Sequence, residues 1–465
     1  MLTGIRSVHF VGIGGTAMAS AAVAMQEKGY AVTGSDQNVY PPMSTFLAER
    51  KVPVMSGYAE PNLAHKPDLV VIGNAISRGN PEAEIVLEKK LRYCSLPELL
   101  KEFFIRGKRS VVVTGTHGKT TTTALLTWVF EHNGLNPSYL IGGIPNNFSQ
   151  GARFADSEWF IIEGDEYDTA FFDKRSKFTH YLPEVAIINN LEFDHADIFE
   201  NVAAIQTAFK RFINLIPRNG QLIANGDDPN LALLLDVTHC PVKRFGLGES
   251  NAWRAYNLVL APTVTEFETP SFKFRINLLG ELNVRNALGV VAAARHCGLK
   301  NHQIQEAFDT FKGIKRRMEV RGVSGGVTIV DDFGHHPTAI RETLRALRVK
   351  FKGQKIWAVF EPRSNTTRRN VFQTDLVDAF ADADAVVVSQ VARLEQLQPG
   401  ERLDPARLMQ DLSAKGKTSD YLPDADAIVD HLAKNAEGGD VVCVFSNGGF
   451  GGIHTKLLDR LKHKK

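Results

Sequence analysis

The chain has few cysteines, no long hydrophobic run and almost no net charge, and each of these absences excludes a class of protein. Its four cysteines, among 465 residues, include no Cys-x-x-Cys pair, which argues against a disulfide framework and against a cysteine-ligated zinc site. No apolar run approaches the ~20 residues that a bilayer crossing needs. Lysine and arginine number 54 against 52 acids, so the chain lacks the overall charge of a nucleic-acid-binding protein.

What is present is the composition of an ordinary globular protein. Apolar residues make up 43% and charged residues 23% of the chain, close to the average for soluble domains. Because single cores stop growing at ~250–300 residues, we expect two or three domains. The first residues enter a strand-like run without the apolar core of a signal peptide. These features predict a cytoplasmic protein with reduced, mostly buried thiols.

Three segments repeat one local pattern, in which a β-branched run leads into a turn rich in glycine or histidine. They are residues 5–15, 108–119 and 326–337. Short apolar strands that enter helices through such turns are typical of parallel α/β units. We therefore predict an α/β protein of three domains, residues 1–106, 107–313 and 314–465. A strand-rich segment, 237–279, is expected to extend the middle domain.

The second of these segments continues as VVVTGTHGKTTTT, from Val111 to Thr123. A buried strand ends at Gly115, and Lys119 and Thr120 open a helix after a tight turn. Backbone N–H groups of such a turn can hold phosphate oxygens. Lys119 would neutralise the β- and γ-phosphates, and the Thr120 hydroxyl would bind Mg²⁺. The alternative is a threonine-rich helix cap. The predicted ATP-binding residues here are Gly115, Thr116, His117, Gly118, Lys119, Thr120 and Thr121.

Two later strand-like runs end in acids. The first leads to Glu163, Asp165, Glu166 and Asp168, and the second leads to the sequence NNLEFDHAD at residues 189–197. In an α/β sheet, residues just past the carboxyl ends of the strands face the ligand crevice. A carboxylate there can hold the metal that bridges the β- and γ-phosphates, although an acidic cluster taken alone is more often a solvated loop.

The N-terminal segment reads GIGGTAM from Gly12 to Met18, and Asp36 lies 22 positions after Gly14. This spacing is similar to a dinucleotide-binding fingerprint in which Ala17 replaces the third glycine. It leaves three interpretations open. These are a nicotinamide-dependent oxidoreductase, a site for the pyrophosphate of a nucleotide-sugar, and simple packing of strand against helix.

In their order along the chain, these motifs resemble the Mur ligase family, ATP-dependent enzymes that form amide bonds in peptidoglycan synthesis. The residues that carry the resemblance are 115–122, 163–168, 190–195, 283–286, 316–317 and 331–337. The resemblance covers nearly the whole chain. It implies a Rossmann-like N-terminal domain for UDP-N-acetylmuramate, a central P-loop ATPase-type domain with a parallel sheet, and a C-terminal Rossmann-like domain that binds the peptide and closes over ATP.

Two branches of the family act on UDP-N-acetylmuramate itself. One adds L-alanine, and the other attaches the recycled tripeptide L-alanyl-γ-D-glutamyl-meso-diaminopimelate. Five segments resemble the second branch: residues 34–44, 74–81, 171–177, 361–365 and 446–454. In the first branch the sequence Glu-Pro-Arg-Ser at 361–364 would be closer to Gln-Pro-His-Arg. The tripeptide ligase is therefore favoured, with the alanine ligase and the oxidoreductase as alternatives.

The resemblance also implies roles for single residues. Lys119, Glu163, His195 and Arg317 match catalytic positions, and Thr120, Glu163 and His195 would hold Mg²⁺, with two ions expected. Asn286 matches an adenine contact with Asn283 near it, Arg317 a phosphate-side arginine, and Asp332 a ribose contact. Leu282 stands where the family usually has histidine, which weakens one expected nucleotide contact.

The same comparison assigns the two substrate ends. The UDP-sugar site is predicted at Gly14, Gly15, Thr16, Asp36, Ala75, Ile76 and Asn80, and the peptide site at Arg363, Ser364, Asn365 and Asn447. His335 and His336 are expected to have a structural or interdomain role, because adjacent histidines on a turn rarely ligate one ion without further partners. Residues 462–465 are expected to form a solvated tail. We expect small-molecule substrates, no nucleic-acid partner, no membrane insertion, and a monomer or weak dimer in the bacterial cytoplasm.

Overall fold

A computed structural model describes residues 4–462, so most of the predicted C-terminal tail lies outside the described residues. The chain forms two compact units. The first takes in the chain up to Glu192 together with Val202–Arg254 and Asn286–Ala307. The second consists of Phe193–Asn201, Ala255–Arg285 and the chain from Phe308 onward. Between residues 4 and 462, no helix combines the length and the hydrophobicity that a membrane crossing requires.

The first unit begins with a five-stranded parallel sheet and its helices. In chain order these elements are β1 Ser7–Val11, α1 Thr16–Glu27, β2 Ala31–Asp36, α2 Met43–Glu49, β3 Val54–Ser56, β4 Leu69–Ile72, α3 Pro81–Glu88, β5 Tyr93–Ser95 and α4 Leu96–Leu100. The strand order is β3-β2-β1-β4-β5. The strand β4 is the apolar run LVVI, buried throughout, because parallel sheets of this kind are covered on both faces. A π-helical turn, Lys101–Ile105, follows α4.

An eight-stranded sheet forms the rest of the first unit. Its region contains β6 Arg109–Thr114, α5 Lys119–His132, β7 Ser138–Leu140, β8 Ala152–Arg153, β9 Trp159–Glu163, β10 Asp168–Ala170, β11 Asp173–Ser176, β12 Val185–Ile188, α6 Val202–Ile213, β13 Gln221–Asn225, α7 Pro229–Ala232, β14 Val242–Gly246 and β15 Trp253–Arg254. The order is β15-β14-β13-β12-β6-β9-β7-β8, and only the β7–β8 pair is antiparallel. The strands β10 and β11 form a separate antiparallel hairpin.

The second unit contains two further sheets. The first consists of three antiparallel strands, β16 Tyr256–Leu260, β17 Thr265–Thr269 and β18 Phe272–Ile276. The helices α8 Glu281–His296 and α9 Asn301–Thr310 follow in the chain, and most of both helices, Asn286–Ala307, belongs to the first unit. The remaining elements are β19 Glu319–Ser324, β20 Val327–Asp332, α10 Pro337–Lys350, β21 Ile356–Phe360, α11 Asp375–Ala379, β22 Ala385–Ser389, α12 Pro405–Ala414, β23 Thr418–Leu422, α13 Ala425–Asn435, β24 Val441–Phe445 and α14 Ile453–Leu461. Their six-stranded sheet has the order β19-β20-β24-β21-β22-β23, with β19 antiparallel.

The predicted α/β class is confirmed. The three segments that opened on β-branched runs contain β1, β6 and β20, and each of these strands pairs in parallel with a neighbour. Apolar clusters cover both faces of the six-stranded sheet, one around Leu344 and Leu376 and the other around Ile428 and Leu457. Because parallel strands end at the same edge, their carboxyl-terminal loops lie together there. All four cysteines are unpaired, and only Cys297 is not fully buried.

Candidate active site

The loop between β6 and α5 is built around two glycines with left-handed backbone. Gly118 has φ of 79° and precedes the first residue of α5, and a Cβ there would lie 2.3 Å from Asn286 Oδ1. Gly115 has φ of 129°, and its Cβ would lie 2.9 Å from the backbone N of Asn190. Only glycine fits at either position, because a side chain would be strained and would also clash. The tight turn that the sequence predicted is therefore fixed by the surrounding backbone and by Asn286.

Lys119, the first residue of α5, points back into this loop. Its ammonium donates to the backbone oxygens of Gly115, at 2.7 Å, and Thr116, at 3.3 Å. It also donates to Glu166 Oε1 at 2.9 Å. The side chain of Lys119 is 14% exposed and that of Glu166 only 3%. The lysine is thus held at the loop by a buried ion pair.

Glu166 sets the charge state of this lysine. Burial works to lower the pKa of Lys119, but nearby carboxylates, chiefly Glu166, outweigh it and the pKa is raised above its usual value. Lys119 is therefore a fixed positive charge at the predicted phosphate position. Glu166 lies in the acidic run after β9, but we predicted no role for it from the sequence. A run of four acids does not indicate which carboxylate contacts the lysine.

Glu163 ends β9 and lies beside the start of α5. The Thr120 hydroxyl donates to Glu163 Oε1 at 3.1 Å, and the Gly142 N–H donates to Glu163 Oε2 at 2.7 Å. A hydroxyl and a carboxylate next to a phosphate-binding loop are the oxygen ligands that Mg²⁺ prefers. The predicted pair of metal ligands, Thr120 and Glu163, is therefore brought together and fits this ion.

The loop after β12 holds the other side of the phosphate loop. The N–H of His117 donates to Asn190 Oδ1 at 2.7 Å, and the N–H of Glu192 donates to the Thr116 hydroxyl at 2.8 Å. His117 Nε2 also lies 3.3 Å from a Glu192 carboxylate oxygen. The side chains of Asn190 and Glu192 thus position the turn, a role that sequence reasoning did not assign to them.

The predicted adenine contact, Asn286, lies in α8 and is buried against the same loop. Its Oδ1 lies 3.5 Å from Asn189 Nδ2, which also donates to the Thr122 hydroxyl at 2.9 Å. This network links α5, α8 and the end of β12. Asn283 belongs to the second unit, where its amide donates to the oxygen of Leu279 at 2.8 Å.

The N-terminal glycine loop is organised by Asp36, the last residue of β2. Asp36 Oδ2 accepts from the N–H of Gly14 at 2.8 Å, and α1 starts at Thr16, directly after Gly15. Tyr58 faces the same loop. Burial, together with the nearby charge of Asp36, raises the pKa of Tyr58 to about 12. Tyr58 carried no recognisable sequence signal, because it lies outside every motif of the N-terminal segment.

The predicted UDP-sugar residues Ala75, Ile76 and Asn80 differ from one another in exposure and in hydrogen bonding. Ala75 is exposed, and Ile76 is buried. Asn80 caps α3, since its side chain accepts from the backbone N–H groups of Glu82 and Ala83 at 3.0 and 3.2 Å. An asparagine before proline at a helix start is a normal capping arrangement. The structure therefore gives Asn80 a local structural role.

A cavity of about 520 Å³ lies within the first unit. Its lining includes Gly15 and Thr16 from the N-terminal glycine loop, together with Glu163 from the end of β9. Residues 140–144, at the end of β7 and in the loop after it, and the residues Asp165, Thr169, Lys177 and Tyr181 complete much of the wall. The predicted nucleotide-sugar loop and the predicted metal ligand therefore open onto one space.

His195 belongs to the second unit, in the segment Phe193–Asn201. It has a left-handed backbone, with φ of 57°, and its N–H donates to Asp194 Oδ1 at 2.7 Å. The same oxygen accepts from the Thr366 hydroxyl at 2.9 Å. Burial would raise the pKa of Asp194, but His195, His335 and His336 outweigh it and hold that pKa below its usual range.

The histidine pair lies at the start of α10, where His336 is the N-cap residue. His336 Nδ1 accepts from the N–H of Thr338 at 3.2 Å and so caps the helix. His336 Nε2 lies 3.1 Å from the oxygen of Phe193, and His335 Nε2 lies 3.8 Å from Asp194. Within the second unit, these contacts fix the segment that carries His195.

Arg317 and Asp332 lie at the carboxyl end of β20. Arg317 stacks on Phe333, with 5.2 Å between its guanidinium carbon and the ring centre. Asp332 accepts from the N–H groups of Met318 and Gly334 at 2.8 and 2.7 Å. Burial raises the pKa of Asp332 despite the opposing charge of Arg317. Both carboxylate oxygens thus already hold the backbone of this loop.

The predicted peptide residues follow β21 and β24, which are neighbours in the six-stranded sheet. Arg363 is exposed and lies against the loop after β24, since a Cβ on Gly448 would be 2.7 Å from Arg363 Nη1. Arg363 Nη1 is also 3.7 Å from Glu361, whose carboxylate accepts from the Ser446 hydroxyl at 2.5 Å. Asn447 is part of the same loop and is half-buried.

The side chains of Ser364 and Asn365 form hydrogen bonds that hold the loop after β21. The Ser364 and Thr367 hydroxyls are 2.8 Å apart. Asn365 donates to Asp197 at 2.7 Å and accepts from Arg368 at 2.6 Å. The structure therefore brings Arg363 together with the loop of Asn447, while Ser364 and Asn365 shape the turn that presents Arg363.

Comparison with known proteins identifies the family of the chain. Three family models match: the Mur ligase family catalytic domain over residues 7–108, the Mur ligase middle domain over residues 113–294, and the Mur ligase glutamate ligase domain over residues 316–448. The UDP-N-acetylmuramate–L-alanyl-γ-D-glutamyl-meso-2,6-diaminoheptandioate ligase of Escherichia coli K12 is 43% identical over 98% of each chain.

Two further proteins are similar to this chain over nearly its whole length. A UDP-N-acetylmuramate–L-alanine ligase of Acetivibrio thermocellus is 32% identical over 95% of this chain and 93% of that protein. The crystal structure of a murein peptide ligase from Psychrobacter arcticus superposes with a TM-score of 0.73, at 35% identity over 99% of each chain.

The chain belongs to the Mur ligase family. It is accordingly an ATP-dependent ligase of peptidoglycan synthesis that forms amide bonds and uses Mg²⁺. The glycine loop of residues 12–18 lies within the matched family domain, so the nicotinamide-dependent alternative is set aside.

Proposed function

We propose that this enzyme joins L-alanyl-γ-D-glutamyl-meso-diaminopimelate to the lactyl carboxylate of UDP-N-acetylmuramate, with conversion of ATP to ADP and phosphate. The observation that carries the proposal is the cavity onto which Gly15, Thr16 and Glu163 all open. It gives a nucleotide-sugar at the first loop access to a metal-bound triphosphate at the second. A sugar-linked acid and a γ-phosphate need such a shared space in order to react.

The choice of the tripeptide over L-alanine rests on the acceptor side. The relative with 43% identity is named for the tripeptide, and the one with 32% identity is named for L-alanine. The loop after β21 has Glu361-Pro-Arg363-Ser where the alanine branch would be closer to Gln-Pro-His-Arg. A planar guanidinium such as that of Arg363 can bind a carboxylate through two hydrogen bonds. This suits an acceptor that carries several carboxylates.

In the proposed reaction, an oxygen of the lactyl carboxylate attacks the γ-phosphorus and ADP leaves. The α-amine of the tripeptide then attacks the carbonyl carbon of the acyl phosphate and phosphate leaves, while the amine gives its proton to solvent or phosphate. Lys119 would neutralise the negative charge of the phosphoryl group during its transfer. Arg317, from the C-terminal part of the chain, is proposed to stabilise the same negative charge. The residues mainly position groups and balance charge.

The metal ligands remain a proposal. Thr120 and Glu163 would hold one Mg²⁺, and His195 would hold a second ion. When bound, the metal offsets the negative charge of the phosphates and of the attacking carboxylate. In the same proposal, Asn286 contacts adenine, Asn283 lies near it, and the peptide site is formed around Arg363 and Asn447.

The enzyme is proposed to act in the cytoplasm, where ATP and UDP-sugars are available, and to be a monomer or weak dimer. Sedimentation of the purified protein over a range of concentrations tests the second point. A stable higher oligomer would contradict it.

The function is tested by a paired-acceptor assay with UDP-N-acetylmuramate, ATP and Mg²⁺, in which phosphate release is followed with either the tripeptide or L-alanine. We expect turnover with the tripeptide and little with L-alanine. Equal or faster turnover with L-alanine would assign the chain to the alanine-adding reaction. Mass spectrometry of the UDP-linked product identifies which acceptor was joined.

A further inference from the structure

Lys177 is the single basic residue that lines the cavity shared by the glycine loop and Glu163, among the residues between 4 and 462. It directly follows β11, and its N–H donates to the oxygen of Tyr167 at 2.9 Å. The side chain is 19% exposed. Backbone pairing in the hairpin thus aims a mostly buried ammonium toward the space where the substrates must meet.

Asp165 holds this ammonium in place. Lys177 Nζ donates to Asp165 Oδ2 at 2.6 Å, and Asp165 itself lines the cavity. An ammonium has three N–H donors, and Asp165 is its one hydrogen-bond acceptor in the described part of the chain. Lys177 can therefore bind a second anion without giving up Asp165.

The charge of the cavity wall shows why a cation is needed there. Apart from Lys177, its charged residues are the acids Glu163 and Asp165. A substrate carboxylate that enters this space meets two like charges, which is unfavourable unless cations compensate it. Metal bound at Glu163 would supply part of that compensation, and Lys177 is what the chain itself supplies.

We propose that Lys177 binds the lactyl carboxylate of the UDP-sugar through a charge-assisted hydrogen bond, while Asp165 orients the ammonium. This inference rests on the proposed function, since it needs a sugar-linked carboxylate in the cavity. Lys177 is then a substrate-binding residue that selects UDP-N-acetylmuramate over UDP-sugars without the lactyl group.

The same hairpin offers a matched control. Lys174 lies in β11 and pairs with Asp168 at 2.6 Å, the same distance as the Lys177–Asp165 pair. Its side chain is 71% exposed, and it does not line the cavity. Replacing either lysine removes one charge and one ion pair from the hairpin, but only Lys177 faces the substrate space.

The test measures binding by calorimetry without ATP, with two ligands. UDP-N-acetylmuramate carries the lactyl carboxylate, and UDP-N-acetylglucosamine is the same nucleotide-sugar without it. For Lys177→Met we expect the affinity for UDP-N-acetylmuramate to fall by about tenfold or more, as for loss of a charged hydrogen bond. The affinity for UDP-N-acetylglucosamine should stay within about twofold. Lys174→Met should change neither.

Two outcomes overturn the inference. One is an equal loss of affinity for both ligands in Lys177→Met, and the other is no loss for either. If Lys177→Met fails to fold, the wild-type protein still decides, because the proposal requires it to bind UDP-N-acetylmuramate about tenfold more tightly than UDP-N-acetylglucosamine. Equal binding of both sugars by the wild type contradicts only the role of Lys177. Binding of neither sugar contradicts the proposed function as well.

Discussion

The two glycine loops of the first unit share a strand–turn–helix form. They differ in the hydrogen-bond donor that each one presents to a nearby carboxylate. In the loop of residues 12–18, Asp36 accepts from the backbone N–H of Gly14 at 2.8 Å. In the loop of residues 115–121, Glu166 accepts from the side chain of Lys119 at 2.9 Å. One carboxylate binds a neutral, fixed donor, and the other binds a charged side chain.

This difference indicates how each loop would receive phosphate. A backbone N–H cannot leave its place without moving the turn, so the first loop offers a rigid framework. The ammonium of Lys119 can exchange Glu166 for a phosphate oxygen by a change of side-chain rotamer. The proposed triphosphate site would thus bind through a change of partner at Lys119, and the proposed nucleotide-sugar site through the shape of its rigid backbone.

The largest expected effect is that of Lys119→Ala. Loss of the charge that faces the transferring group should lower ligation by about 10²–10³-fold or more, while the protein still folds because Gly118 and Asn286 keep the turn. Phosphate release with the tripeptide, and a thermal melt, measure the two quantities. Lys174→Ala, on the exposed hairpin face, is the control and should keep wild-type activity. Full ligation by Lys119→Ala would contradict the phosphate-site assignment.

Replacing one glycine of each loop by alanine should lower the free energy of unfolding by different amounts. Gly118→Ala places a side chain at φ of 79° and a Cβ 2.3 Å from Asn286, so we expect a loss of about 2–4 kcal/mol in the free energy of unfolding. Gly15→Ala meets nothing within 4 Å and has φ of −72°, so its effect should stay within about 0.5 kcal/mol. Urea denaturation compares them, and equal losses would show that the second loop is not the tighter one.

The comparison also shows what the sequence could predict. Gly118, Lys119 and Thr120 are adjacent, and the strand, the turn and the helix start around them are local features that the sequence predicted. The α/β class and the strands β1, β6 and β20 were predicted for the same reason. Short-range patterns fix short-range geometry.

Partners that depend on chain folding were not predictable from spacing. Glu166 reaches Lys119 across 47 positions, and Asn286 reaches Gly118 across the whole middle of the chain. Lys177 lines the cavity from the position directly after β11, which no local sequence pattern indicates. Asn80 caps α3, a role for which asparagine before proline at a helix start is a sequence signal, and its predicted part in UDP-sugar binding stays a prediction.

Glu166→Gln tests the change of partner in the second loop. Without the carboxylate, the buried ammonium of Lys119 loses a charged hydrogen bond, so the nucleotide-free protein should be about 1.5–3 kcal/mol less stable. Mg²⁺ with a non-hydrolysable ATP analogue then restores a negative partner without first displacing Glu166. The rise in melting temperature on adding the analogue should therefore exceed that of the wild type. An equal or smaller rise would show that Glu166 does not compete with phosphate for Lys119.

The smallest expected effect is that of Asp36→Asn in the first loop. The amide oxygen can still accept from the Gly14 N–H, so the free energy of unfolding should change by less than about 1 kcal/mol.

The same substitution removes the negative charge of Asp36, which is one of the groups that raise the pKa of Tyr58 to about 12. Since a neutral neighbour no longer disfavours the tyrosinate, that pKa should fall in the variant, while burial still keeps it above the usual value for tyrosine. NMR titration of the Tyr58 ring carbon measures it directly, with Tyr139, whose pKa burial also raises to about 12, as an internal reference outside the loop. A Tyr58 pKa that stays at about 12 would mean that burial and the charge of Glu82 set it without Asp36.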